Sequence, residues 1–340
     1  MKYISFVVPS YNSQEYLAKC LDSLVIGGED VEIIIVNDGS KDRTLEIARE
    51  YEAKYPTIIK VIDKENGGHG SGINAGLKVA TGIYYKCVDS DDWVDKDAYL
   101  KLLETVKKHY EEGNSPDLYF LNYVYERLDL NLSVPMRDKY IPKGKHFTWK
   151  EFKRYGLANY LFLHQMMYKT SIIKEAKMEL PEHCFYVDNV FVYIPLFYVK
   201  TMYYLDVDFY RYYVGRPNQS VTLENATKNY KMGLRVMNEI TNRYTYDELK
   251  GLHKNHYKFM IHDIFAKQLL TMFYIYGNNT KEKNVHYKMY LDHFKNTNRK
   301  LYYKIKYRTP AVFPFLLIRP LRKRAVIFGY KQVIKKTKWN

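Results

Sequence analysis

Within the first hundred residues, four apolar runs of strand character alternate with three stretches of helical periodicity, and this alternation restricts the fold more than any other feature of the chain. The runs are Ile4 to Pro9, Val31 to Val36, Ile58 to Ile62 and Ile83 to Val88. Between them, Leu17, Cys20, Leu21 and Leu24 recur at helical spacing, then Leu45, Ala48 and Tyr51, then Ile73, Leu77 and Ala80. Short, near-continuous apolar strands joined by single helices are the pattern of a parallel sheet with right-handed crossovers, covered on both faces. The sequence therefore predicts an α/β fold around a mainly parallel central sheet. Asn12-Ser13-Gln14-Glu15 reads as a capping box for the first helix.

Sheets of this kind gather ligands at the carboxyl ends of their strands. Tyr11, Asp38, residues 66–72 and Asp89 to Asp92 each follow a predicted strand, so a single cleft is expected to collect them. The last group is the most distinctive. Asp89, Asp91 and Asp92 place three carboxylates within four residues, and their mutual repulsion destabilises a fold unless a cation or hydrogen-bond donors offset it. Hard carboxylate oxygens suit Mg²⁺ or Mn²⁺, and such a cation in turn suits a diphosphate leaving group. An acidic turn that caps the next helix is the other reading of the same residues.

Beyond the cluster, Asp95 to Gly113 reads as an amphipathic helix with glycine at its end, and Asp117 to Tyr125 as a strand. Residues 127 to about 147 are a polar, proline-punctuated excursion. Thr148 to Glu151 is expected to open a short helix, and His164 to Lys169 and Thr201 to Leu205 to be strands. From about residue 222 to 298 the pattern is helical and rich in Tyr, Met and Lys.

At 46% hydrophobic over 340 residues the chain can bury a substantial core. Cys20, Cys87 and Cys184 are odd in number and far apart, which argues for buried thiols in a reducing compartment and against a disulfide or zinc framework. The first apolar run is too short for a signal peptide, and no window approaches the ~20 apolar residues that span a bilayer. A cytoplasmic location is expected.

The formal net charge is +15, yet residues 299–340 hold thirteen Lys and Arg and no Asp or Glu. In that tail the cations are interleaved with Leu301, Ile305, Phe313, Phe315 to Ile318 and Ile327, the composition of a segment lying on an anionic membrane surface. A solvated basic face, or a phosphate-backbone contact in a nucleic-acid binder, is the rival reading. A nucleic-acid role leaves the acidic cleft unexplained.

Four motifs, each after a predicted strand and in a fixed order, resemble the family 2 glycosyltransferases, inverting nucleotide-sugar enzymes of the GT-A fold. They are Val7-Val8-Pro9-Ser10-Tyr11-Asn12, Val36-Asn37-Asp38-Gly39-Ser40-Lys41-Asp42, Asn66-Gly67-Gly68 with Asn74-Ala75-Gly76, and Asp89-Ser90-Asp91-Asp92-Trp93. The resemblance implies a catalytic domain over residues 1–220, followed by a helical accessory region (221–298) and the basic tail (299–340). It further implies that Pro9, Tyr11, Asp38, Asn66, Gly67, Asp89 and Asp91 bind the donor. Tyr11 would stack on uracil while Asp38 accepts the imide N–H, and Asn37 departs from the commoner Asp. Asp91, with Asp89, would hold Mn²⁺ or Mg²⁺; Asp92 is read as supporting them or as capping the following helix. His69 is read as a packed loop histidine, and the glycines at 67, 68, 70 and 72 as a backbone that lets a ribose or diphosphate approach.

An inverting transfer needs a general base. In Cys184-Phe185-Tyr186-Val187-Asp188-Asn189 only Asp188 survives of the family's acidic pair, so Asp188 is the expected base, with a plain helix cap as its rival. Arg216, Gln219 and Ser220 resemble a segment that closes over the donor. The expected activity is transfer from a UDP-sugar to a hydroxyl of a cell-envelope glycan or lipid-linked acceptor, on the inner face of the cell membrane. A non-catalytic sugar-binding scaffold is the alternative. The sequence assigns neither the sugar nor the oligomeric state, although the helical region could supply an interface.

Overall fold

The computed structural model describes residues 1–152, 155, 161–215, 223–276 and 280–308. Arg216, Gln219, Ser220 and residues 309–340 lie outside them. The chain divides into two compact units, one of residues 1–152 and 161–214, the other of 153–160 and 215 onward.

The first unit opens as the sequence predicts. Strands β1 (Ile4–Ser10), β2 (Val31–Asp38), β3 (Ile59–Lys64) and β4 (Tyr84–Cys87) pair in parallel, in the order β3-β2-β1-β4. Helices α1 (Leu17–Leu24), α2 (Thr44–Lys54) and α3 (His69–Val79) supply the crossovers. Every residue of β1 is buried, because helices cover both faces of the strand. On α1 the stripe Leu17, Cys20, Leu21 and Leu24 is buried as its spacing demands.

The short strand β5 (Trp93–Val94) precedes α4 (Lys96–Glu111), whose N-cap is Asp95, accepting from the Ala98 amide at 3.1 Å. Then come β6 (Leu118–Arg127), β7 (Leu132–Met136), β8 (His146–Thr148), β9 (Met166–Lys169), α5 (Thr170–Glu175), α6 (Asp188–Leu196) and β10 (Thr201–Tyr213). Antiparallel β9 joins β4 to β6, β6 pairs in parallel with β10, and β5, β7 and β8 add antiparallel edges. The result is one mixed sheet, parallel where single helices connect its strands.

Three local expectations give way to the structure. Asn12 and Ser13 do not cap α1; Asn12 bonds to the loop after β2, the Ser13 N–H donates to Thr44 at the start of α2, and α1 begins at Leu17 without a side-chain cap. Thr148 and Glu151 bond to each other as a capping box would, at 2.7 Å, but residues 149–151 are a turn. The segment 163–165 is a 3₁₀ turn before β9, drawn to Lys86. The Lys86 ammonium is fully buried and donates to the carbonyls of Leu163 (3.2 Å), His164 (2.6 Å) and Met166 (3.1 Å).

The second unit is helical among its described residues: α7 (Leu223–Lys228), α8 (Tyr230–Arg243), α9 (Tyr246–Gly251), α10 (Lys254–Tyr276), α11 (Lys281–Thr297) and α12 (Arg299–Lys306). Helix α10 contacts the other five and carries a buried Asp263–Lys267 pair. Leu301 and Ile305, counted above among side chains for a lipid surface, are buried, because α12 lays its apolar stripe on α10 and α11. Among the described residues no helix is long and apolar enough to cross a membrane.

Candidate active site

The carboxyl ends of β1 to β4 are tied to one another by a ring of side-chain hydrogen bonds. At the end of β1, Tyr11 is 52% exposed and Asn12 adopts a left-handed backbone. The Asn12 amide N–H donates to Ser40 Oγ (3.0 Å) and its Oδ1 accepts from the Lys41 N–H (2.8 Å), so the β1 loop is held against the β2 loop. Asp38, the last residue of β2, is buried. Its Oδ1 accepts from Lys64 Nζ (2.8 Å) and the Gly67 N–H (2.9 Å), and its Oδ2 from the Gly68 N–H (2.7 Å). Asn66 Nδ2 donates to the Asp38 carbonyl at 2.9 Å.

From there the ring passes to the acidic cluster. His69, the first residue of α3, meets Asp89 Oδ1 through Nε2 at 2.9 Å. Burial alone would lower the imidazole pKa, but the adjacent Asp89 carboxylate outweighs it and holds the group above the ordinary histidine value. Ser90 Oγ closes the circuit with Ser13 Oγ at 2.7 Å. Pro9 lies under α3, where a Cβ on Gly72 would stand 2.9 Å from the proline Cβ. The structure thus brings together Pro9, Tyr11, Asp38, Asn66, Gly67 and Asp89.

The cluster itself is divided by burial. Asp92 is 1% exposed and bonds to β10, accepting the Tyr210 hydroxyl (2.7 Å) and the Tyr213 N–H (2.8 Å). Its pKa is raised, first by burial and then by its acidic neighbours. It caps no helix; Asp95 does. Asp89 and Asp91 remain half-buried at the rim. Behind them His164 lies between the rings of Tyr210 and Tyr212, both 4.5 Å away, and burial drives its pKa down to about 4.

Asp188 stands in the first turn of α6, whose N-cap position is Val187. The segment leading to it docks on the same rim. The His183 N–H donates to the Gly67 carbonyl (2.6 Å), Ser71 Oγ donates to Glu182 Oε1 (2.8 Å), and Asn74 bonds twice to the Leu180 backbone. Asn189 Nδ2 meets Asp188 Oδ1 at 3.3 Å.

Of the glycines read as letting a ligand approach the backbone, Gly70 and Gly72 lie in the opening turns of α3, packed against the Pro181 carbonyl and Pro9. Gly68 has φ +83°, where a side chain is strained. Sequence reasoning missed Lys64, Tyr210, His164 and the engagement of His69 with Asp89. Lys64 was within reach, since parallel pairing of β2 with β3 places it directly beside Asp38. Asn37 also acquires a reason: its Nδ2 donates to Asp63 Oδ1 at 2.7 Å, a bond that aspartate at this position could not make.

Residues 5–175 match the family model described as Glycosyl transferase family 2. The chain belongs to that family. It is 31% identical to the Bacillus subtilis glycosyltransferase EpsH over 243 residues, 68% of this chain and 66% of that protein. With the poly(ribitol-phosphate) beta-glucosyltransferase of Bacillus spizizenii it shares 31% identity over 187 residues, 53% of this chain and 27% of the relative. The chain thus spans from about a quarter to just under two thirds of these relatives' lengths. In fold it is similar to S. aureus TarS residues 1–349, with TM-score 0.68 at 20% identity over 98% of this chain and 92% of that one. The mainly parallel α/β sheet that the sequence implied is present, with antiparallel pairing added at β5, β7, β8 and β9.

Proposed function

We propose that the enzyme transfers a sugar, with inversion, from a UDP-sugar to a hydroxyl of a cell-envelope glycan or lipid-linked acceptor. The observation that carries this reading is the hydrogen-bonded ring at the ends of β1 to β4, with the segment before Asp188 docked on it. The same sheet in TarS has been crystallised with UDP-GlcNAc and with UDP, and the Bacillus spizizenii relative is named for a poly(ribitol-phosphate) acceptor.

In this reading Tyr11, exposed at the rim, stacks on the uracil. Asp38 holds the Gly67–Gly68 turn; three of its roughly four acceptor positions are filled, leaving one for the imide N–H. Asp188 takes the proton of the acceptor hydroxyl as its oxygen bonds to the anomeric carbon and the bond from that carbon to the diphosphate breaks. Asp89 and Asp91 are both half-buried, and their carboxylate oxygens are of the kind that Mn²⁺ or Mg²⁺ takes. Such an ion, when bound, offsets charge on the departing diphosphate. Arg216, Gln219 and Ser220 are assigned to closure over the donor, and residues 309–340 to contact with an anionic membrane surface.

A screen of nucleotide sugars for Mn²⁺-dependent hydrolysis tests the donor assignment without an acceptor. Hydrolysis of a UDP-sugar that is lost in Asp91→Ala is expected, with transfer to an acceptor lost in Asp188→Asn. UDP binding without turnover of any donor would replace the enzyme reading by the scaffold.

A further inference from the structure

His69 and Cys87 enter the site with no part in the chemistry just described. Cys87 ends β4 and is 1% exposed; His69 opens α3; Asp89 stands two residues beyond the thiol on the same strand extension. One nitrogen, one sulfur and one oxygen of these three side chains lie within 4.8 Å of one another. The imidazole and the carboxylate are 35% and 25% exposed, so an ion can arrive from solvent and reach the thiol beneath. We propose that His69, Cys87 and Asp89 form a binding site for a zinc-class divalent cation, which shares Asp89 with the position proposed for Mn²⁺ or Mg²⁺ but differs from it in donor set.

The donor set decides the class of metal. Mg²⁺ and Mn²⁺ favour oxygen ligands, whereas a thiolate beside an imidazole selects Zn²⁺ or its spectroscopic substitute Co²⁺. Bonds of about 2.0–2.3 Å in tetrahedral geometry separate ligand atoms by roughly 3.3–3.6 Å. The cluster is near that size already, its His69–Asp89 separation being 2.9 Å. Binding replaces the hydrogen bond between His69 and Asp89, releases the thiol proton and the proton of the ligating imidazole nitrogen to solvent, and leaves the fourth position to water. Cys20 and Cys184 belong to neither of the candidate metal clusters among the described residues, so any thiolate signal has one source.

The site shares Asp89 with the proposed donor pocket, so its occupation withdraws that carboxylate from the donor. This consequence rests on the proposed function; the binding does not. Titrating the full chain with Co²⁺, without nucleotide, is expected to give a thiolate-to-cobalt charge-transfer absorption that saturates at one equivalent and is displaced by Zn²⁺. The band should vanish in Cys87→Ala and weaken at least about tenfold in apparent affinity in His69→Ala. Absence of the band, or its survival in Cys87→Ala, overturns the site. Thermal unfolding of Cys87→Ser and Cys87→Ala confirms that the variants are folded. In a second arm, Zn²⁺ should suppress Mn²⁺-dependent donor hydrolysis in the parent but not in Cys87→Ala, whose hydrolysis without zinc matches the parent. Equal zinc inhibition of both proteins also overturns the proposal. If the parent hydrolyses no nucleotide sugar, the proposed function fails while the cobalt titration still decides the metal site.

Discussion

The Tyr210 hydroxyl donates to Asp92 Oδ2 at 2.7 Å and accepts the Asp89 N–H at 3.1 Å, so a late strand holds both ends of the acidic cluster. Tyr210→Phe leaves the buried Asp92 carboxylate one donor short, at a cost of about 1–3 kcal/mol. A lower urea midpoint with an unchanged slope is expected. A variant as stable as the parent would show that the hydroxyl is not what stabilises Asp92.

Close packing of α3 on β1 depends on Gly76. A Cβ there would sit 2.3 Å from Val7 Cγ1, on a strand that is buried throughout. Gly76→Ala is expected to destabilise by about 1–3 kcal/mol through overpacking, against the usual gain of alanine in a helix. Chemical denaturation of the two proteins measures it.

The Asn37–Asp63 bond predicts the response to restoring the more usual aspartate. In Asn37→Asp two carboxylates meet where a 2.7 Å hydrogen bond was. Their repulsion raises the pKa of one of them, so stability relative to the parent falls at neutral pH and recovers below about pH 4, where one carboxyl is protonated. Unfolding midpoints at pH 7 and pH 4 test the crossover.

Lys86 gives the pH dependence a base as its source. Burial lowers its pKa from 10.5 to about 7, so from pH 7 to 10 the unfolded chain carries a proton that the folded chain lacks. Stability then rises with pH across this window, by a few kcal/mol at most, and the rise should flatten in Lys86→Met. Urea unfolding at pH 7 and pH 9.5 for both proteins checks the difference.

What the sequence made legible were features set by local pattern. The strands at Ile4 and Val31 announced themselves because both of their faces are buried, the strand at Ile59 by its apolar Ile59, Val61 and Ile62, and parallel connection followed from the single helices between them. Asp38 and Asp89 were placed at the rim by the same logic. Partners fixed by distant pairing stayed hidden. Nothing near Asp92 in the chain indicates Tyr210, and Lys86 resembles any strand lysine until the 3₁₀ turn at 163–165 folds over it. The capping reading of Asn12 and Ser13 failed because Asn12 Oδ1 accepts from the Lys41 N–H and Ser13 Oγ bonds to Ser90 Oγ.

Strand β10 carries a consequence for how the chain folds as it is made. The Asp89 amide and the Asp92 carboxylate find their donors and acceptors only in residues some 120 positions later. A nascent chain that has exposed its first hundred residues holds the partners for the parallel half of the sheet and for the His69–Asp89 and Ser13–Ser90 bonds, but Asp92 still lacks its donors. Satisfaction of the buried Asp92 carboxylate is thus deferred until translation has passed Tyr213, and a fragment ending before that strand would leave it short of donors.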